Sequence, residues 1–223
     1  SELSFTIMES VRKGKGLKPE WEAVMKEHDV PDWYIWSCKK IKYMFPKAHA
    51  VAYVMMAWRI AYCKVFYPLA YYAAFFSIRA KAFDYSLMCF GKKALEEHIK
   101  DYKNRADALT PVEQDKLRDM RIVQEMYARG FEFLPIDIMT SKAKRFQIID
   151  GKLLPPINAV AGLGDKAAEG IEDAAKDGAF MSKDELRERA KIGKSNIELL
   201  TSLGILDNLP DSNQLSIFDY MKA

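Results

Sequence analysis

Four residues within 39–53 have types and spacing suited to a nucleotide: Phe45, Lys47, His49 and Tyr53. Lysine offers a compact positive charge to phosphate. Histidine offers a ring N–H, and tyrosine an aromatic face for a base or sugar. His49 and Tyr53 stand at i and i+4, so they share a face if the stretch is helical. Pro46 breaks the chain just before them. A helix beginning near Ala48 would then aim its N-terminus, the positive end of its dipole, at anything bound there. Aromatics at helical spacing are equally the mark of a core, and the pattern alone leaves both readings open.

A second set lies near residue 160. Ile157-Asn158-Ala159-Val160-Ala161-Gly162-Leu163-Gly164-Asp165-Lys166 reads as a short helix, an apolar turn with two glycines, then a second helix. Such a helix-hairpin-helix exposes backbone N–H groups at a helix N-terminus, where anions are favoured. It grips a DNA phosphate without reading bases. Gly162, Leu163, Gly164 and Lys166 are the candidate contacts. Asp165 opposes a phosphate, or caps the helix. The alternative is a plain glycine hairpin between packed helices. A weak echo follows within 183–204, with Gly193, Lys194 and Ser195 at its turn. Having one glycine instead of two, the echo is either a second grip or only structural.

The third set closes the chain. Gln214, Leu215, Ser216, Ile217 and Phe218 sit in an otherwise polar end. Apolar anchors there suit a short peptide that docks in a partner's groove, or they pack back on their own domain. The basic turn Arg12-Lys13-Gly14-Lys15-Gly16 reads either as a phosphate contact or, as base rates favour, a solvated helix end.

These sets need elements to hold them, and helical signals dominate. Residues 48–66 are apolar almost all round, which predicts a buried helix; Pro68 interrupts it, and 69–78 reads as a second buried helix. Asp84 caps a helix running toward Lys100. Thr110-Pro111-Val112-Glu113 is a capping box that opens a long helix ending at Gly130. Residues 131–134, 145–150 and 152–154 look like short strands, with Asp150-Gly151 as a hairpin turn. The expected fold is therefore mainly α with a small β-hairpin. Its regions are 1–105, a helical segment; 106–154, a connecting helix and hairpin; 155–210, a tandem helix-hairpin-helix; and 211–223, a tail.

Composition narrows the function. The 223 residues are 49% hydrophobic and 29% charged, which is ordinary globular composition and not disordered. Net charge is +3, but residues 1–100 carry +6 and residues 150–223 carry −4. A basic front half suits a polyanion or nucleotide phosphates. Three scattered cysteines without a CxxC pair argue against a zinc site or a disulfide framework and fit a reducing cytoplasm. The start lacks a signal-peptide pattern, and no clean run of about 20 apolar residues marks a membrane span. No P-loop, nucleophile elbow or paired carboxylates of the kind that hold catalytic magnesium are visible, so no metal ligand and no catalytic residue is assigned.

Several of these stretches together resemble the replicative DNA polymerase III alpha subunit of bacteria, PolC type. They are Asp32-Trp33-Tyr34-Ile35, Ser37 through Ala50 with its FPKAHA run, Met8 through Leu17, Leu154-Pro155-Pro156, Gly162-Leu163-Gly164 and the terminal QLSIF. The resemblance covers nearly the whole chain in order and is thin only at 85–125. It implies that residues 1–105 are fingers, with Phe45, Lys47, His49 and Tyr53 lining the incoming-dNTP pocket and Tyr53 against the nascent base pair or sugar. The tandem hairpins would grip primer–template duplex behind the active site. The tail would bind the sliding clamp. Palm aspartates and their magnesium would lie outside this chain, with the palm and thumb as its remaining partners, so the fragment alone is expected to be inactive. Departures are Trp36 in place of an acid, Cys63 where a larger residue is common, Asp165 at the hairpin, and Ile217 where leucine is usual. The rival class is a non-enzymatic helix-hairpin-helix adaptor that docks on the clamp; a membrane-surface protein is a third reading, resting only on 48–80.

Overall fold

The computed structural model describes residues 2–212. They form helices α1 (Glu2–Arg12), α2 (Pro19–Glu27), α3 (Asp32–Lys40), α4 (Lys47–Phe66), α5 (Pro68–Ile78), α6 (Tyr85–Met88), α7 (Lys92–Asn104) and α8 (Pro111–Ala128). Strands β1 (Gln147–Ile149) and β2 (Lys152–Leu154) follow, then α9 (Asp165–Ala175), α10 (Lys183–Ala190) and α11 (Lys194–Ser202). The fold is mainly α with one antiparallel hairpin, as the patterning requires. The chain divides into two compact units, Ser1–Ala61 and Tyr62–Ala223, and the division falls within α4.

In the first unit α1, α2 and α3 bury Val11, Met25, Ile35 and Cys38. Burial pushes the Cys38 thiol above its ordinary range. Between these helices lies a cavity of about 420 Å³, lined by Ile7, Met25, Cys38 and Met44 among others. The basic turn after α1 is spent on structure. Arg12 and Lys13 both pair with Glu9, at 2.7 Å each. The Arg12 carbonyl accepts from the Met44 N–H at 3.1 Å. Gly14, at φ +74°, lies so close to the Lys42 carbonyl that any Cβ would overlap it. The turn therefore buttresses the loop that leads into α4.

The second unit has two cores. In one, α5, α6, α7, α8 and the hairpin bury Tyr72, Met88, Leu95, Met120 and Leu153. Phe76, Phe83, Phe133 and Phe146 meet there at centroid separations of 4.9–6.1 Å. In the other, α9, α10 and α11 bury Leu163, Ile171, Leu186, Leu200 and Leu206, and Ile136, Ile138 and Ala143 from the preceding segment pack into it.

Local signals translate directly. The Thr110 hydroxyl accepts from the Glu113 N–H while Glu113 accepts from the Thr110 N–H, and α8 opens there. That double grip, with Arg105 alongside, holds the Glu113 carboxyl at about 2. Asp150 and Gly151 take φ of 50° and 74°, the left-handed pair that a two-residue hairpin needs.

Five expectations change. Helix α4 has no buried residue: Val54, Met55, Trp58 and Val65 are all exposed. Apolarity on every side says that a helix needs partners; it does not say that the partners lie in the same chain. Helix α5 buries only one face, through Tyr72 and Phe76, and leaves Ile78 exposed. Asp84 caps the single turn α6, which ends at Met88, and the chain restarts as α7 after Gly91, whose φ of 95° is open to glycine. Residues 131–134 make only one bridge, Phe133 to Leu153, and form no strand. The short helix expected at 157–159 is one 3₁₀ turn.

Candidate nucleic-acid interface

Helix α4 starts at Lys47, one residue after the proline break. No acid occupies its first turn, which leaves the positive helix end uncompensated from within. Phe45 stacks on His49 at 4.7 Å between centroids with the planes 8° apart, and His49 meets Tyr53 at 4.4 Å. Tyr43 abuts Phe45 edge-on at 4.7 Å. Three of the four sequence-derived residues thus form one aromatic row, and it is open: Phe45 is 53% and Tyr53 68% exposed. Lys47 is exposed and, among the described residues, has no carboxylate partner. Tyr43 was not singled out by the sequence; its edge contact follows from the loop that Gly14 buttresses.

The hairpins are built alike. In the first, Gly162 takes φ 91°, Leu163 is buried, and Gly164 begins α9 without a side-chain cap. The Gly164 carbonyl accepts from Ala167 and Ala168, at 3.0 and 3.1 Å. In the second, Lys191 takes φ 54° and ψ 43°, Ile192 is buried, and Gly193 begins α11 without a side-chain cap. The Gly193 carbonyl accepts from Asn196 and Ile197, at 3.1 and 3.4 Å. In both helices the first N–H groups have no intrahelical acceptor, which is the arrangement that takes an anion. The echo that has one glycine therefore has the backbone of the copy that has two. Lysine stands in the left-handed position where Gly162 stands in the first copy. Aligning Gly162-Leu163-Gly164 with Lys191-Ile192-Gly193 is the sequence signal that reveals it.

Charge separates the two turns. Asp165, at the first helical position of α9, accepts from the Asn158 amide at 3.1 Å and pairs with Lys144 at 3.0 Å. Those partners hold its carboxyl below the usual carboxylate range, so it stays ionised. Lys144 is itself shared with Glu169 at 2.7 Å. Lys166, next to Asp165, is exposed. The second turn carries Lys191, Lys194 and Ser195, all exposed, with only Glu198 within 3.7 Å of the Lys194 ammonium. It is the more favourable of the two for an anion.

Three features fix these turns in place. Leu199 of α11 reaches to 3.6 Å from where a Gly162 Cβ would stand. The Arg189 guanidinium donates to the carbonyls of Ala174, Gly178 and Ala179 and lies 4.5 Å from the Phe180 ring centroid, tying the end of α9 to α10. Gly170 lets α9 and α10 touch backbone to backbone, because any Cβ there would overlap the Ala190 carbonyl. Backbone cannot swing aside as a side-chain tip can. Gly170→Val is therefore expected to cost about 3 kcal/mol in urea unfolding, at the upper end for overpacking. Gly164→Ala has open space at its Cβ and no positive φ, and should change stability by less than about 1 kcal/mol.

The pentapeptide Gln214, Leu215, Ser216, Ile217 and Phe218 lies outside the described residues. Among the described residues no three His, Cys, Asp or Glu side chains come together as a metal site, and no helix is long and apolar enough to cross a membrane.

Comparison with known proteins agrees with this geometry. Residues 130–215 match the helix-hairpin-helix motif family. Over 215 residues, 96% of its length, the chain is 50% identical to the DNA polymerase III PolC-type of Clostridium perfringens. It is 51% identical over 97% of its length to the PolC-type enzyme of Oceanobacillus iheyensis, and 50% identical over 97% to that of Bacillus subtilis. The chain spans about 15% of the length of each of these relatives. By its sequence, and with a helix-hairpin-helix at its C-terminal side, this chain is similar along nearly its whole length to one segment of PolC-type DNA polymerase III.

Proposed function

We propose that this chain is a segment of a replicative DNA-directed DNA polymerase and works in template-directed synthesis in the cytoplasm. Residues 1–105 act as fingers, with Phe45, Lys47, His49 and Tyr53 holding the incoming dNTP. Residues 106–154 connect them to the module at 155–210, whose two turns grip primer–template duplex. The tail at 211–223 tethers the assembly to the sliding clamp through Gln214, Leu215, Ser216, Ile217 and Phe218. The paired, uncapped hairpins within a chain half identical to PolC-type enzymes carry this reading.

The carboxylates needed for magnesium do not converge among the described residues. The palm and thumb of the longer polymerase supply that chemistry. The exposed apolar sides of α4 suit contact with those parts. What this chain's own residues do is bind and orient. Lys47 and the start of α4 face a triphosphate with positive potential, while the row Phe45–His49–Tyr53 presents ring faces to base or sugar.

The test uses the longer polymerase that contains this segment. His49→Ala should lower kcat/KM for nucleotide incorporation about 30-fold, the worth of roughly 2 kcal/mol for a hydrogen bond to a charged group. Duplex affinity should not change. Unaltered incorporation kinetics would reject the pocket and favour the adaptor reading, which has no use for His49. In the tail, Leu215→Ala with Phe218→Ala should abolish clamp binding in a calorimetric titration and leave DNA binding intact.

A further inference from the structure

We propose that the outer face of α3 is a stacking site for the unpaired bases of a nucleic-acid strand, built from Trp33, Trp36 and Lys40. None of these residues belongs to the nucleotide row or to the hairpins. Positions 33, 36 and 40 share one side of the helix by their i, i+3 and i+7 spacing. The other side faces the interior of the first unit, where Ile35 and Cys38 are buried; Trp33 stands at the rim and also lines the cavity there. The two indoles are 70% and 63% exposed although the helix that bears them is satisfied. Two large aromatic surfaces left in water on a packed helix ask for a partner.

Charge says which partner. Lys40 holds its ammonium 5.5 Å from the Trp36 ring centroid. Its neighbour Lys39 is spent on Glu22 at 2.6 Å, whereas Lys40 and Lys42 pair with no carboxylate among the described residues. Within the first unit, the sequence from Trp33 to Ala61 contains no Asp or Glu and five Lys or Arg, and the acid nearest the indoles along α3 is the exposed Asp32 at its first position. A protein partner would have to supply its own acids to match this surface. A single strand supplies both requirements at once, with phosphates for the lysines and bare ring faces for the indoles. A duplex does not, because its base faces are already stacked and only edges and phosphates remain accessible. Binding should therefore be salt-sensitive and nearly indifferent to base sequence.

The test is fluorescence anisotropy of a labelled oligothymidine of about twelve nucleotides with the 223-residue chain. Trp36→Ala should weaken binding about tenfold, and Trp36→Phe, which keeps a ring, should stay within about threefold. Lys40→Ala should reduce the dependence of log affinity on log salt by about 0.7. Trp36 is exposed, so each variant should melt like the parent. This inference does not need the polymerase reading: variants in the second hairpin report on that reading through duplex affinity and leave the Trp36 effect in place. Equal affinities for the chain and Trp36→Ala would overturn it. So would a loss in Trp36→Phe as deep as in Trp36→Ala, or a Trp36-dependent binding to anionic lipid vesicles with none to the oligonucleotide.

Discussion

Replacing Lys191 by Gly and Lys194 by Ala together should weaken duplex DNA binding on the order of 30-fold at about 50 mM salt, and lower the salt slope by about 2. The stability of the chain should not fall. That combination is what the second hairpin makes possible. Lys191 sits at φ 54°, a conformation that costs a residue with a Cβ about 1–2 kcal/mol. Glycine adopts it freely, as Gly162 does in the first turn at φ 91°. The glycine therefore keeps the turn while removing its charge; its greater freedom in the unfolded chain offsets part of the relief. The Lys194 side chain is 81% exposed and holds only a 3.7 Å contact to the exposed Glu198, so its loss leaves no buried group unpaired. A variant that folds as well and binds worse locates the phosphate contact. Duplex affinity unchanged across a salt titration would remove the second hairpin from the interface. The corresponding change at the first turn runs the other way: Asp165→Asn removes a negative charge beside the uncapped helix start and should raise affinity a few-fold.

The second large effect is on folding. Asp84 is 3% exposed and does two things at once. It caps α6 by accepting from the Ser86 N–H at 3.1 Å, and it pairs with Lys116 of α8 at 2.7 Å. Burial by itself pushes the Asp84 carboxyl up, but Lys116 and the Ser86 hydrogen bonds outweigh it and the net shift is downward. A folded pKa below the unfolded value, about 3.9, means that the pair's contribution is complete above that pH. It is lost as pH falls through the folded value. Asp119 works with the opposite sign. It is buried and accepts from the Lys81 and Ala82 N–H groups, yet desolvation dominates and its pKa rises. Its ionised form costs stability at neutral pH, and some is recovered as it protonates. Asp84→Asn keeps a good cap and removes the charge, and should cost about 2 kcal/mol; Asp84→Ala loses the cap as well and should cost about 3 kcal/mol. Against the parent, Asp84→Asn should show a flatter acid limb in a plot of unfolding free energy against pH. Adding Lys116→Met to Asp84→Asn should recover part of the loss, because the lysine is then no longer left beside a neutral partner. An acid limb identical in parent and Asp84→Asn would mean that the pair contributes nothing.

The features read well from residues alone were the local ones. The Thr110–Glu113 box, the proline start of α8, the break at Pro68 and the Asp150–Gly151 turn each depend on atoms within about four residues of one another, and those atoms meet in nearly any compact fold. The glycine hairpin at 162–164 was legible for the same reason. The aromatic row was half legible: i, i+4 spacing joins His49 to Tyr53, but Phe45 precedes the helix, and only the loop docked on Gly14 lays it flat on His49.

Elsewhere the pattern named a need without naming what meets it. An all-round apolar helix looked buried, yet α4 is exposed within this chain. The echo's single glycine left open whether it is a second grip or only structural, and Lys191 takes the left-handed position that Gly162 holds in the first copy. Buried Ile192 on one side and the α10 end on the other hold it there. The amino-acid sequence by itself determined where helices begin, where the chain turns and which charges travel together, because those rest on short-range sterics and hydrogen bonds. Which faces stay in water, which lysine replaces a glycine and which buried aspartate finds a lysine partner were decided only by tertiary structure, because burial and pairing belong to residues that are distant along the chain and adjacent in space.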